Sequence, residues 1–144
     1  MKKLILTILV AATFAFGQAE GAKQPRKSQA KVLTRAEIDQ LLSKPDQVLI
    51  IDVRRPDEVT AIGGFPVYLS IQIGDLEKSL AYIPKDRTII ALSNHAARGG
   101  RAADILTKAG FKVAGAAGAE DYEAQGGTLT KIIPPPPSQS ASKQ

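Results

Sequence analysis

The chain contains no cysteine and no tryptophan, and only 5% of its 144 residues are aromatic. Without a thiol it can form neither a disulfide nor a cysteine metal site. The few aromatic side chains and the net charge of only +5 argue against nucleic-acid binding, which relies on stacking surfaces and strongly basic patches. The single histidine, His95, has no neighbouring carboxylate cluster in the sequence, so we predict no metal site and no cofactor.

The first residues have the pattern of a bacterial secretory signal. Two lysines follow Met1, an apolar run extends to Phe16, and small residues then end at Ala19. We predict a signal peptide over residues 1–19 and a periplasmic or secreted protein that has no membrane attachment after cleavage. A retained membrane anchor is the alternative, although the apolar run is short for a full span.

The remaining chain divides into a polar leader, one domain and a tail. Residues 20–32 are polar without an apolar period, and we interpret them as a flexible leader. Residues 134–144 begin with four prolines and continue with small polar residues, which is typical of a disordered tail or spacer. The folded domain is therefore predicted over residues 33–133, a length that allows a single domain.

Helical and strand patterns alternate along this domain. Thr34 and Glu37 form a capping box before a helix, and residues 48–53 form an apolar run typical of a buried parallel strand. Further strands are predicted over 67–71, 88–92 and 111–115, and further helices start near residue 56 or span 75–80, 100–109 and 121–125. This alternation predicts an α/β domain with a central parallel sheet covered by helices on both faces.

The loop from Ser93 to Arg98 is the principal candidate site. It follows the strand ending at Leu92, where ligands of parallel sheets gather, and it precedes a helix predicted from Gly100. Backbone N–H groups there, with Arg98 and Arg101, suit a small oxyanion. The candidate loop residues are Ser93, Asn94, His95, Ala96, Ala97 and Arg98. An ordinary strand-to-helix connection is an equally good interpretation.

Two other interpretations concern single side chains near strand ends. Ser93 and His95 resemble a nucleophile and its base, but residues two apart in a tight loop seldom meet, so a hydrolase is disfavoured. Asp52 and Arg54 follow the first strand, and we assign Asp52 a structural role as an acceptor of backbone N–H bonds. The alternative is that Asp52 and Arg54 together brace a neighbouring loop.

Several ordered motifs resemble the rhodanese (sulfurtransferase) domain over about residues 33–131. They are Asp52-Val53-Arg54-Arg55-Pro56-Asp57-Glu58, Gly74-Asp75-Leu76-Glu77, Pro84-Lys85-Asp86, the stretch from Ser93 to Leu106, and Ala109-Gly110-Phe111. The resemblance implies a three-layer fold with a parallel sheet between helices. It also implies a site in which a cysteine at position 93 carries a persulfide held by the loop N–H groups.

Serine at position 93 departs from that family's chemistry. Sulfur transfer needs an ionised thiolate that forms a sulfur–sulfur bond, and a serine hydroxyl is hardly ionised near neutral pH. Residues 63–68 also lack the histidine that is frequent in the family, and Asn94, Ala96 and Ala97 stand where basic residues are common. Arg98 keeps its place at the end of the loop.

The sequence therefore predicts an exported, catalytically inactive rhodanese-like domain. Its expected role is to bind a small oxyanion or a protein partner. The alternative is an enzyme with residual sulfur transfer, or one that uses a thiol supplied by a partner. A structural remnant without a ligand is the third interpretation.

Overall fold

A computed structural model describes residues 27–131 and residue 133. The predicted signal peptide (1–19), the first part of the leader and the tail (134–144) lie outside the described residues, so those assignments stay predictions. No helix within the described part of the chain is long and apolar enough to cross a membrane.

Five α-helices, one 3₁₀ turn and four strands alternate along the described chain. In order they are α1 (Arg35–Leu42), β1 (Val48–Asp52), α2 (Pro56–Ile62), β2 (Tyr68–Ser70), α3 (Leu76–Ser79), a 3₁₀ turn (Leu80–Tyr82), β3 (Thr88–Ser93), α4 (Ala96–Lys108), β4 (Val113–Gly118) and α5 (Ala119–Ala124). The strands form one parallel sheet in the order β2-β1-β3-β4. The predicted α/β class and parallel sheet are confirmed.

Alternating side chains along the strands build one core on each face of the sheet. Ile50 packs in a cluster with Ile38 of α1 and Tyr122 of α5. Its neighbour Ile51 packs in the opposite cluster, which contains Leu76 of α3 and Leu106 of α4. Successive strand side chains point to opposite faces, so burial on both faces produces the continuous apolar run seen in β1. The architecture is the expected three layers, helix, sheet and helix.

Local signals account for the starts of two helices. Thr34 accepts a hydrogen bond from the Glu37 N–H while the Glu37 carboxylate accepts the Thr34 N–H, which is the predicted capping box of α1. Pro56 occupies the first position of α2, where its missing N–H has no intrahelical partner to lose. The second of these helices begins soon after β1 and has Glu58 in its first turn.

The start of α4 was predicted too late. The helix begins at Ala96 and not at Gly100, so Ala96, Ala97 and Arg98 belong to its first turn and not to a loop. The two glycines that suggested a loop lie inside the helix. A Cβ at Gly99 would lie 2.6 Å from the Ala91 carbonyl oxygen, so glycine is required by close helix–strand packing and not by a turn. The last strand similarly runs over 113–118 instead of 111–115.

Residues 27–33, which we call the N-terminal edge segment, run alongside β4 and α4. Val32 forms a parallel bridge with Ala116, the Leu33 N–H donates to the Ala116 carbonyl at 2.8 Å, and the Ala116 N–H donates to the Lys31 carbonyl at 2.7 Å. Residues 27–32 were assigned to the leader, and in the structure this part of it extends the sheet beyond β4.

Candidate functional site

The predicted site residues meet at the carboxyl ends of β1 and β3. The two strands are neighbours, with Asp52 in register with Leu92, so the segments that follow them emerge side by side. The site comprises residues 93–98, the Asp52–Arg54 turn and the start of α2. This is the edge at which parallel sheets place their ligands.

Ser93 is fully buried, and its hydroxyl is hydrogen-bonded within its own loop. The Oγ donates to the His95 carbonyl oxygen at 2.5 Å and accepts the Gly99 N–H at 2.7 Å. Among the described residues no carboxylate or imidazole contacts this oxygen to act as a base. The hydroxyl therefore links the loop to the first turn of α4, and it does not have the surroundings of a nucleophile.

Arg98 is paired with Glu58 of α2. Its Nη1 lies 2.9 Å from Glu58 Oε2, and its Nη2 lies 2.6 Å from Oε1. The Asn94 side-chain amide also donates to Oε1 at 2.9 Å, and the Arg55 N–H donates to Oε2 at 2.9 Å. The Arg98 guanidinium is the main cause that lowers the pKa of Glu58 to about 2. The Arg98 guanidinium was predicted to bind an oxyanion, and in the structure it binds the Glu58 carboxylate instead.

His95 and the N-terminus of α4 contact carboxylates of α5. His95 Nδ1 lies 2.9 Å from Asp121 Oδ1, and its Nε2 lies 3.0 Å from a Glu120 oxygen. The Ala96 N–H donates to Asp121 Oδ2 at 3.2 Å. The hydrogen bond with Asp121, supported by the charge of Glu120, raises the pKa of the His95 imidazole above its usual value. His95 is exposed and lies directly before the first residue of α4.

Only part of the predicted anion cradle is open. The Gly99 N–H is bonded to Ser93 and the Ala96 N–H to Asp121. The N–H groups of Ala97 and Arg98 have no acceptor among the described residues. Two backbone donors at the start of α4 therefore remain for an anion, beside carboxylates that repel it.

Asp52 and Arg54 form a buried ion pair beneath the site. Arg54 Nε lies 2.9 Å from Asp52 Oδ1 and its Nη2 lies 2.7 Å from Oδ2, while the Arg54 N–H donates to Oδ1 at 3.1 Å. The same Nη2 donates to the Gly63 carbonyl at 2.8 Å. Asp52 thus accepts one backbone N–H, and Arg54 braces the loop after α2, so the two structural roles considered for them coexist.

Arg101 differs from Arg98 in its surroundings. It lies exposed on α4, and no carboxylate in the described part of the chain is within 4.0 Å of it. The two arginines that were predicted to bind an anion therefore differ. Arg98 is paired with Glu58, and Arg101 has no carboxylate partner among the described residues.

Glu58 and Asp121 were not among the predicted site residues, although both contact the loop. Glu58 follows β1 by one helical turn, and Asp121 follows β4, the other neighbour of β3. A sequence signal existed, because carboxylates after neighbouring parallel strands converge on one sheet edge. Across the described residues no group of three or more His, Asp or Glu side chains is arranged to hold a metal ion.

Solved structures with the same architecture include rhodanese-like domain proteins. A rhodanese-related protein from Thermoplasma volcanium superposes with a TM-score of 0.61 at 18% identity, covering 71% of this chain and 99% of that one. A rhodanese-like domain protein from Staphylococcus aureus gives 0.54 at 22% identity, with 61% and 85% covered. A Rhodopseudomonas palustris protein of unknown function, described as a possible tyrosine phosphatase, gives 0.61 at 24% identity, with 70% and 85% covered.

Comparisons of this chain with family models and with curated proteins found no match. At these identities the structural likeness concerns the fold. The chain has the α/β fold of rhodanese-like domains, and its sequence contains no cysteine.

Proposed function

We propose that the protein is a non-catalytic binding module built on the rhodanese-like fold. The observation that carries this proposal is the state of Ser93, whose buried hydroxyl donates to one loop group and accepts from another. A side chain held in this way supports the loop, and among the described residues no base contacts it that could remove its proton. The internal pairing of Arg98 with Glu58 supports the same conclusion.

Sulfur transfer from thiosulfate to cyanide tests this proposal directly. The natural chain is expected to produce no thiocyanate above the uncatalysed rate, because it has no thiolate to accept the sulfane sulfur. Ser93→Cys is the reference variant, since it places a thiol beside the Gly99 N–H at the start of α4.

Controls separate a true activity from contamination. Turnover by the natural chain that disappears in Ser93→Ala contradicts the proposal. Turnover confined to Ser93→Cys shows that the hydroxyl alone silences the site. Silence in both proteins shows that features of the loop other than residue 93 also prevent sulfur transfer.

Binding of a small oxyanion is a second candidate role, supported by the unpaired N–H groups of Ala97 and Arg98. An anion there competes with the Glu58 carboxylate for the Arg98 guanidinium. We expect Glu58→Gln to strengthen sulfate binding and Arg98→Ala to weaken it, as measured by calorimetric titration. Equal affinities in the natural chain and both variants contradict this role.

We further propose that the protein acts in the periplasm or outside the cell, on the basis of the signal-like pattern at residues 1–19. The mass of the protein recovered from the exporting host tests this proposal. A chain that begins at Glu20 in the periplasmic or secreted fraction supports it, and a full-length chain in the cytoplasmic fraction contradicts it.

A further inference from the structure

A groove separates the N-terminal edge segment from the first two turns of α4. Its volume is about 530 Å³, and its apolar lining comes from Ala30, Val32, Ala96 and Ala97. Its only charged lining side chains are Lys27 and Arg101. The volume falls within the range that small ligands and short side-chain clusters occupy in proteins. We call it the edge groove.

The edge segment contacts α4 directly at one glycine that lines the edge groove. A Cβ at Gly100 would lie 2.8 Å from the Cβ and Oγ of Ser28, so the edge segment approaches the helix directly. The Gln29 N–H also donates to the Asp104 carboxylate at 3.3 Å, one turn farther along α4. The wall opposite α4 is therefore held in place by specific contacts.

The edge groove carries positive charge that no carboxylate in the described part of the chain neutralises. The other cationic groups around the site each have a carboxylate partner, and the pairs are Arg54–Asp52, Arg55–Asp57, Arg98–Glu58 and His95–Asp121. Within the described residues, no carboxylate lies within 4.0 Å of Lys27 or Arg101. Charge complementarity therefore favours an acidic occupant.

The backbone of Val32 offers hydrogen bonds to an extended chain. Lys31 and Leu33 bond to β4, and groups that alternate along a parallel strand face opposite sides, so the Val32 N–H and carbonyl face away from the sheet. Neither has a partner in the described part of the chain. The Val32 side chain is 59% exposed. An added strand would find main-chain bonds here and an apolar floor beside them.

We propose that the edge groove binds an extended acidic segment of a partner protein, in which carboxylates flank an aliphatic side chain. This inference rests on the proposed binding function and names the class of its partner. The carboxylates pair with Arg101 and Lys27, and the aliphatic side chain contacts Ala96 and Ala97. Main-chain bonds to Val32 favour a peptide over a free small acid, which has no backbone to pair.

Charge also argues against an occupant from this chain. The parts of the sequence outside the described residues contain one carboxylate side chain, Glu20, and a larger number of cations, which are Lys2, Lys3, Lys23, Arg26 and Lys143. A second copy would bring the same positive groove to the contact. An acidic partner is repelled by neither Lys27 nor Arg101, in contrast to these two cationic occupants.

The test uses the full chain and the peptide acetyl-Glu-Thr-Val-Thr-Glu-amide. Its two glutamates and its valine share one face of an extended strand, because side chains alternate with a period of two. Titration of the peptide into the protein, followed by amide NMR shifts, gives the affinity and locates the contact. We expect shifts at Val32, Ala97 and Arg101.

Arg101→Glu should weaken binding of this peptide by about tenfold, since it replaces an attraction by a repulsion at an exposed position. Lys78→Glu is the matched control, a charge reversal at an exposed lysine of α3 outside the groove, and it should change the affinity less than about twofold. The peptide acetyl-Lys-Thr-Val-Thr-Lys-amide should not bind.

Three results overturn the inference: no binding at millimolar peptide, equal binding of the lysine peptide, or equal effects of Arg101→Glu and Lys78→Glu. Each leaves the non-catalytic proposal intact, because that proposal is judged by sulfur transfer. Turnover by the natural chain, in contrast, contradicts the proposed function and leaves a measured peptide affinity unchanged.

Discussion

At position 93 the chemistry of one side chain determines what the loop can do. A thiolate there would be a charged, soft nucleophile that the surrounding N–H groups stabilise. A hydroxyl keeps its proton and donates it to the His95 carbonyl, while its oxygen accepts the Gly99 N–H. A thiolate at position 93 would serve catalysis, whereas the serine hydroxyl stabilises the loop.

Removing this hydroxyl should cost stability although it takes no part in a reaction. Ser93→Ala leaves the buried Gly99 N–H without an acceptor, and an unpaired buried donor costs about 1–3 kcal/mol. Urea unfolding measures the loss. Ser70→Ala, at an exposed position of β2, is the control and should stay within about 0.5 kcal/mol of the natural chain. Equal stabilities of the two variants would show that the Ser93 bonds are absent in solution.

At the scale of elements, two carboxylates fasten the start of α4 to its neighbours. Glu58 joins it to α2 through Arg98, and Asp121 joins it to α5 through the Ala96 N–H and His95. Both carboxylates lie near the positive end of the helix dipole, which stabilises negative charge. The pKa of Glu58, lowered from 4.5 to about 2, means that its stabilisation is present above pH 4.5 and is lost as the pH falls towards 2.

His95 reports the link between α4 and α5, since it is the only histidine in the chain. Its pKa should lie above 6.5 in the natural chain, and Asp121→Asn should lower it by removing the main hydrogen-bonded charge. The contribution of this pair to stability is present below pH 6.5 and is lost as the pH rises through the raised pKa. An NMR titration of the imidazole measures both values.

Glu123→Gln is the control for the His95 titration, because this carboxylate of α5 pairs with Lys131 and not with the loop. It should leave the His95 pKa unchanged. A His95 pKa that does not respond to Asp121→Asn would show that the contact between His95 and α5 does not form.

Elements defined by local signals could be predicted from the sequence, and those defined by tertiary contacts could not. The capping box at Thr34 and the apolar run of β1 are local patterns, and the structure contains both. The start of α4 depends on Asp121, which lies 25 residues beyond Ala96, so no local pattern indicated it. Glu58 and Asp121 are likewise distant from the loop in sequence, and the order of the strands brings them into contact with it.

At the scale of the whole molecule, the alternation of helices and strands was enough to predict a three-layer parallel sheet. Composition could not reveal that residues 31–33 extend that sheet, because Val32 and Leu33 are only two apolar residues at the end of a polar leader and show no strand period. The pairing of this segment instead depends on small residues of β4, which let a backbone lie close. The edge groove, which we infer to bind a partner, has this segment as one of its walls and would not exist without it.

Gly115 of β4 tests whether the segment is seated in this way in solution. A Cβ at this position would lie 2.5 Å from the Lys31 carbonyl oxygen and 3.0 Å from Leu33 Cγ, so Gly115→Ala must displace the edge segment or shift β4. Overpacking of this kind costs about 1–3 kcal/mol, measurable by urea unfolding. Displacing the segment also removes one wall of the edge groove, so the acidic peptide should bind more weakly to this variant.

Gly74→Ala is the matched control, because nothing lies within 4 Å of a Cβ at Gly74. It should leave peptide binding unchanged and leave stability unchanged or raise it by up to about 1 kcal/mol, since alanine restricts the unfolded chain. If Gly115→Ala proved as stable as Gly74→Ala, Lys31 and Leu33 would not be paired with Ala116 in solution. Weaker peptide binding by Gly115→Ala together with lower stability would instead show that one contact supports both the sheet edge and the groove.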